Sequence, residues 1–451
     1  MPESAPLRFH STNRRAAPVD LAEALLRGQA EDGGLYLPDS IPPFADGLLR
    51  RARDLDYPTL ATELLTPYTR GVLSADALAT ICHDAYDFEV PLEPIGAGRW
   101  VLRLDRGPTA SFKDFAARFM GRTLGRLVTE RDRELVILTA TSGDTGSAIA
   151  HAFLGVPGVR VVVLFPRGEV SRRQRLQMTT LGGNVTTLAL DATFDDCQAL
   201  VKRAFADPSL ADMGLSSANS INIGRLLPQS VYYVWAASRV ADIGAGERVV
   251  FAVPSGNFGD LLGGVLAMRA GLPVSRFVVA TNANDEVPRF VASGRYDKIA
   301  PSRQCISNAM NVGHPSNLAR LVELYGGWLD DAGTLIEAPD FEAMRRDLFA
   351  TSVDDATTRA TIASVWREHG VMLEPHGAVG HAGLERFSAA NATSAERDVP
   401  AVLLETAHPA KFPEEVRSAT GVDPELPASL QGLEGMDEHF EEISSEYGDF
   451  L

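Results

Sequence analysis

The chain has 451 residues, of which 45% are hydrophobic and 22% charged. That balance excludes a mainly disordered chain, a collagen-like repeat and a small disulfide scaffold, and the length suits about two to three domains. With 42 basic and 59 acidic residues the formal charge is −17, which argues against nucleic-acid binding but leaves room for a locally positive pocket around a small anion.

The first ninety residues read as mixed and mostly helical. Asp20 with Glu23 predicts a capped helix over Leu21–Arg27. Gly33-Gly34 breaks the chain, and Pro38, Pro42 and Pro43 predict an irregular wrap. From about residue 134, short apolar runs alternate with helical stretches. Glu134–Thr139, Arg160–Phe165 and Asn184–Leu190 read as strands, with helices at Ser147–Leu154, Ser171–Leu181 and Phe194–Phe205 between and after them. A helix is predicted over Gly224–Ser238, then a strand at Arg248–Val253, a loop at Ser255–Gly259, a helix at Asp260–Ala270, and strands at Arg276–Thr281 and Ala401–Leu404. This alternation predicts βαβ units and buried parallel sheets. The acidic run from Glu434 to Asp449 reads as a solvated surface or tail.

Cys82, Cys197 and Cys305 are far apart and suit neither a zinc knuckle nor a redox dithiol; no metal site is expected. Met1 to His10 lacks the apolar core of a signal peptide, and no apolar run approaches a membrane span. The expectation is a soluble, cytoplasmic protein.

Two loops offer anion chemistry. Thr141-Ser142-Gly143-Asp144-Thr145-Gly146 and Ser255-Gly256-Asn257-Phe258-Gly259-Asp260 each follow a predicted strand and open a helix. Backbone N–H groups at a helix N-terminus attract carboxylates and phosphates, and glycine permits close approach. No P-loop, dinucleotide fingerprint, serine-hydrolase elbow or zinc-binding histidine pair is present. Lys113, in Gly107-Pro108-Thr109-Ala110-Ser111-Phe112-Lys113-Asp114-Phe115, stands out in a chain with few lysines and many arginines. Lysine, unlike arginine, readily loses its proton and forms a Schiff base. Read alone, a surface lysine at a helix start is the better reading.

The Lys113 segment resembles the pyridoxal-phosphate lysine motif of the threonine synthase family. Further blocks resemble that family in order: Thr139–Gly146, Leu164–Gly168, Asn219–Arg225, Val253–Asp260, Thr281–Asp285 and Thr406–Phe412, preceded by Asp32–Leu37. The resemblance covers nearly the whole chain. It implies an α/β fold of the fold type II, tryptophan synthase β-like kind, with two parallel-sheet domains flanking the cofactor. The boundaries are a segment at 1–95, a large cofactor-binding domain from 96–133 and 240–451, and a small domain at 134–239.

The resemblance also implies roles. Lys113 holds pyridoxal phosphate and shuttles protons. Ser255, Gly256, Asn257, Phe258 and Gly259 bind the cofactor phosphate, and Thr406 faces the pyridine nitrogen. Ser142, Gly143, Asp144 and Thr145 hold the substrate α-carboxylate. Ser220, Asn222 and Arg225 hold the substrate phosphate, where Ser220 and Asn222 alone read as helix caps. The implied reaction turns O-phospho-L-homoserine and water into L-threonine and phosphate, in a monomer or homodimer that binds neither nucleic acid nor membrane. Arg106, Asn311 and the partial element Ser11-Thr12-Asn13-Arg14 depart from the family pattern and leave room for a shifted substrate. His376 is expected to border the site, and His151 and His408 to be structural. Competing readings are a related dehydratase or β-replacing synthase, and a non-catalytic homologue.

Overall fold

Two parallel sheets, with their carboxyl ends turned toward one cleft, organise the computed structural model, which describes residues 6–96, 98–391 and 395–451. The first five residues of the Met1–His10 stretch lie outside the described residues.

The larger sheet runs Leu348–Ser352, Val274–Thr281, Val249–Pro254, Ala401–Glu405, Arg99–Arg103, Leu92–Pro94 across its width. Only the last pair is antiparallel. The smaller sheet runs Glu441–Ile443, Val185–Leu190, Val159–Pro166, Leu135–Ala140, Leu215–Ser216, all parallel. Central strands of both sheets are buried along their length, as continuous Val/Ile/Leu runs require. The predicted strands and the helices between them are present within a few residues of their expected ends.

Several elements differ from the sequence reading. The stretch at 224–238 is not one helix: a short 3-10 turn, Ile223–Arg225, precedes Ser230–Val240. Pro228 lacks the N–H that a continuous helix needs there. Leu35–Pro38 is not wholly irregular, because Tyr36–Pro38 pairs antiparallel with Phe9–Ser11. The acidic C-terminal run is not merely a solvated tail. Glu441–Ile443 extends the smaller sheet, Tyr447 is buried, and Glu438 receives both Nε and Nη2 of Arg175 at 2.9 Å. The end of the 240–451 segment therefore packs with the smaller sheet, against the boundary drawn from sequence.

Beyond a helix start at Lys113, the 18-residue helix Lys113–Glu130 has no counterpart among the predicted elements. It packs against Asp144–Phe153 so closely that a Cβ on Gly121 would strike the Ala152 carbonyl. This contact fixes the start of one helix relative to the other, and both starts face the cleft.

The N-terminal segment is tied down by a fully buried arginine. Arg320 donates from Nε to the Tyr36 carbonyl (2.9 Å), from Nη1 to Ser220 O (3.1 Å) and Asn317 Oδ1 (2.7 Å), and from Nη2 to Ile221 O (2.6 Å). One guanidinium thus joins the N-terminal strand pair to the loop at 220–221. Arg320→Met removes these donors from buried carbonyls and is expected to destabilise the protein by roughly 2–4 kcal/mol. Urea unfolding measures the loss, and limited proteolysis is expected to cut first in the loosened N-terminal segment.

Candidate functional site

The cleft has a volume of about 980 Å³, part of it open to solvent, and lies where the strand-to-helix loops of the two sheets meet. Ligands in open parallel sheets collect at such carboxyl ends.

Lys113 is the first residue of its helix and is buried against this cleft. The preceding turn is closed by Asp114, which accepts from Thr109 N (2.9 Å) and Thr109 Oγ1 (2.6 Å). Phe112 N–H donates to Thr406 O at 2.9 Å, and His408 N–H donates to Ala110 O at 3.0 Å. These two bonds lock the Lys113 loop to the loop that follows strand Ala401–Glu405. Burial pushes the Lys113 amine down to about 8; the charges of Arg225 and Lys411 push the same way, and Asp144 and Glu374 oppose them. Lys113 is therefore a cleft residue and not a surface lysine.

In the loop after Leu135–Ala140, Thr141 Oγ1 accepts from Gly143 N (2.9 Å) and Gly146 N (2.8 Å). Ser142, Asp144 and Thr145 line the cleft. Gly143 has φ 135° and sits beneath the loop, with the Gln174 amide against the place a Cβ would take. The Asp144 side chain is engaged by other protein groups. Its Oδ1 accepts from Lys411 Nζ at 2.6 Å and Gln174 Nε2 at 2.8 Å, and Oδ2 lies 3.7 Å from Lys113 Nζ. Burial alone would raise this carboxyl, but Lys411 and then Lys113 hold it well below the usual range. An ionised carboxylate repels another, so this side chain cannot receive a substrate carboxylate.

The Ser255–Gly259 loop opens helix Gly259–Arg269. A Cβ on Gly256 would sit 2.8 Å from Ala309 O and 2.9 Å from Met310 Cα, so only glycine fits under the facing loop. Phe258 takes a left-handed φ of 62°, which turns the backbone into the helix N-terminus. Asp260, next in the chain, accepts from Tyr232 OH (2.5 Å) and Tyr233 OH (2.8 Å). Burial pushes it up to about 6 despite these donors.

Ser220 and Arg225 line the cleft, and Asn222 does not. Asn222 is fully buried; its Nδ2 donates to Leu25 O and Ser217 O, each at 2.9 Å, and its Oδ1 accepts from Gly224 N at 2.9 Å. Its side chain holds the turn and is spent on that task. Asn219, not singled out from sequence, lines the cleft instead. Arg225 is 2% exposed, donates only from Nη1 to Ala218 O (2.9 Å), and has an unpartnered Nε. It has no ion pair among the described residues, and burial pushes its guanidinium down to about 10.

Thr406 lines the cleft, with its Oγ1 3.4 Å from Glu374 Oε1. Glu374 caps helix Pro375–Ala390 and accepts from His376 Nδ1 at 2.5 Å. His376 Nε2 accepts from Ala309 N–H at 3.1 Å, so the imidazole carries its proton on Nδ1. His376 thus borders the cleft and props the 308–310 turn. Glu405, beneath, is pushed well up by burial and by the Glu374 charge.

Two departures from the family pattern are explained. Arg106 is exposed and points toward Glu93 and Asp105, away from the cleft. Asn311 does border the cleft; it accepts from Asn282 Nδ2 (2.8 Å) and donates to Gln304 Oε1 (3.1 Å), a double role that an aspartate cannot fill. Among the described residues no group of three or more His, Cys, Asp or Glu is placed to hold a metal ion. No helix among them is long and apolar enough to cross a membrane.

A buried amine of lowered basicity, opposite a glycine-bearing helix N-terminus, fits a phosphorylated aldehyde cofactor. Residues 91–405 match the pyridoxal-phosphate dependent enzyme family, so the chain is a fold type II enzyme that uses pyridoxal phosphate. Residues 8–86 match the threonine synthase N terminus and residues 377–449 the threonine synthase C-terminal family. The chain is 40% identical to a threonine synthase of Escherichia coli over 413 residues, 91% of each chain. A crystal structure of pyridoxal-phosphate-bound threonine synthase from Brucella melitensis superposes with a TM-score of 0.89 at 37% identity, covering 98% of this chain and 97% of that one. The threonine synthase structure from Escherichia coli gives 0.87 at 36% identity, covering 98% of each chain. The chain belongs to the threonine synthase family.

The cost of burying Lys113 is measurable. A lysine whose folded value is depressed penalises folding fully below that value, and the penalty disappears as pH rises from about 8 to above its unfolded value. Lys113→Met is expected to stabilise the cofactor-free protein by on the order of 2 kcal/mol at pH 7. The gain should shrink to well under half by about pH 10, as read by urea unfolding at the two pH values.

Proposed function

We propose that the chain converts O-phospho-L-homoserine and water to L-threonine and phosphate, acting as a carbon–oxygen lyase on a phosphate ester in threonine biosynthesis. The observation that carries the substrate is Arg225: a buried guanidinium on the cleft wall, with an unpartnered Nε and only a backbone carbonyl to donate to. A buried cation of this kind calls for an anion, and a phosphate ester suits the fixed fork of arginine. An unphosphorylated serine or threonine substrate has no use for it.

Pyridoxal phosphate would supply, when bound, an electron-withdrawing ring conjugated through the substrate nitrogen to its α carbon. Lys113 is the residue that holds it. Backbone N–H groups of Ser255, Gly256, Asn257, Phe258 and Gly259 receive its phosphate at the helix N-terminus, and the Thr406 hydroxyl meets its ring nitrogen. Ser142 and Thr145 bind the substrate α-carboxylate with their hydroxyls and with the backbone of the Gly143 turn. The Asp144 side chain takes no part in that contact. Ser220 and Arg225 bind the γ-phosphate, while Asn222 fixes the turn that carries them.

Lys113 does the proton work. Once the substrate amine displaces it, its own amine lies free in a buried site, with basicity lowered enough for a large neutral fraction near pH 8. It removes the α and β protons, returns one at the γ carbon after phosphate departs, and returns the other at the α carbon once the β carbon carries its hydroxyl. Water then adds at the β carbon. The departing phosphate is held by Arg225 at that moment and acts as a second base. The reading carries with it a cytoplasmic location and a monomer or homodimer.

The test follows threonine and phosphate together in the protein loaded with pyridoxal phosphate and given O-phospho-L-homoserine. Equal release of both, lost in Lys113→Ala, is expected. Arg225→Met should raise KM for the phosphorylated substrate by roughly 10- to 100-fold, the loss of one charge-assisted contact. Phosphate released with a keto acid and no threonine would overturn the synthase reading in favour of an enzyme that eliminates phosphate without adding water at the β carbon.

A further inference from the structure

The chain has only four lysines, Lys113, Lys202, Lys298 and Lys411. Two of them flank one buried carboxylate. Lys411 is fully buried at the end of the short turn Pro409–Lys411. Its Nζ lies 2.6 Å from Asp144 Oδ1 and 2.9 Å from Thr109 O. Gln174 Nε2 takes the same Oδ1 at 2.8 Å. What remains for Lys113 is Oδ2 at 3.7 Å, beyond a direct hydrogen bond.

We propose that Lys411 is a positioning residue for Lys113: by holding Asp144 from the far side, it stops that carboxylate from closing a tight ion pair on the reactive amine. The carboxylate is turned toward Lys411 and Gln174, and the Lys113 amine is left near it without being captured. The same ammonium reaches Thr109, whose N–H and hydroxyl are held by Asp114, the neighbour of Lys113. Lys411 therefore ties the Asp144 loop to the very turn that presents Lys113.

The electrostatics run in the same direction. The charged groups facing Lys113 are Asp144, Arg225, Lys411, Glu374 and Asp260. Of these, only Asp144 is within ion-pair reach of its Nζ. An amine sealed against a lone carboxylate in a dry site stays an ammonium, which neither attacks an aldehyde nor accepts a proton. Sharing the carboxylate between two lysines leaves the pair one positive charge in excess, and the excess proton leaves from the more loosely held partner, Lys113.

This inference rests on the reading of Lys113 as the reactive amine, but its test needs no turnover. The full-length protein, freed of cofactor, is reductively methylated across a pH series, and labelling at each lysine is read by peptide mass spectrometry. Exposed Lys202 and Lys298 serve as internal references. Lys411→Met is expected to raise the labelling midpoint of Lys113 by about 1 pH unit or more, as Asp144 turns onto it alone. Asp144→Asn is expected to lower it, since Lys411 then faces Lys113 with no counterion. A second variant, Lys411→Gln, keeps a donor to Asp144 without the charge and should also raise the midpoint. An unchanged or lowered midpoint in the Lys411 variants, or an unchanged one in Asp144→Asn, overturns the proposal. A purely structural role for Lys411 would reduce stability and leave the Lys113 midpoint in place. Should the midpoints move as expected while no threonine forms, the proposed reaction fails and this inference stands.

Discussion

Burying charge away from water is costly unless each charge finds a partner, and the cleft is built around that constraint. Asp144 is the centre of the arrangement. It binds Lys411 directly, faces Lys113 at a distance, and takes an amide hydrogen from Gln174. Each partner comes from a different part of the chain: the helix at 113, the helix at 172–179 and the turn at 409–411. One carboxylate thus brings together the two sheets and the loop after strand Ala401–Glu405. Arg225 is left outside this compensation, which is why the cleft as a whole favours an anionic ligand although the surface of the chain is acidic.

The parts of the fold that were legible in the sequence are those in which burial writes itself as composition. Val249–Pro254 and Leu135–Ala140 are covered on both faces, so nearly every residue is apolar. Arg99–Arg103 was not legible, because both its ends are charged and a charged end does not read as part of a buried strand. Arg103 pairs with Asp105 inside the protein, and Arg99 pairs with Glu385 on a neighbouring helix. The strand Glu441–Ile443 was hidden for a different reason. It sits at a sheet edge, where backbone pairing with Val185–Leu190 is enough and acidic side chains remain in water. Charge composition there reports exposure of the side chains and says nothing about the backbone.

The site divides along a similar line. Loops rich in Gly, Ser and Thr after strands announce themselves, and Lys113, Ser142, Thr145, Ser220, Arg225, Ser255–Gly259 and Thr406 do gather at one cleft or under it. Direction of a side chain is not written in a motif. Asn222 and Ser220 are two residues apart and equally polar, yet one is consumed by Leu25, Ser217 and Gly224 while the other faces the cleft. Nor is sign of use. Asp144 lies among candidate anion binders but serves as a counterion. Glu374 and Lys411 were invisible as site residues because what gives them meaning is a contact across tens or hundreds of residues, Glu374 with Thr406 and Lys411 with Asp144.

The choice between the two basic side chains completes the physical picture. Lysine accounts for four of the 42 basic residues, so arginine is the cation this chain uses by default. Arginine appears where a fixed fork must satisfy several acceptors at once, as at Arg320, which holds three main-chain carbonyls and an amide from two sides of the site. Burial pushes even that guanidinium only down to about 9, so it remains a cation at neutral pH and a permanent part of the frame. Lysine appears at positions 113 and 411, around a single carboxylate, where the proposed reaction needs one of the two to give up its proton. A guanidinium at 113 would neither deprotonate nor react with an aldehyde, and one at 411 would bring a planar fork where a single point charge fits between Asp144 and the Thr109 carbonyl. The frame is therefore held by groups that cannot change charge, and the one group that must change it is placed beside a carboxylate that another lysine already occupies.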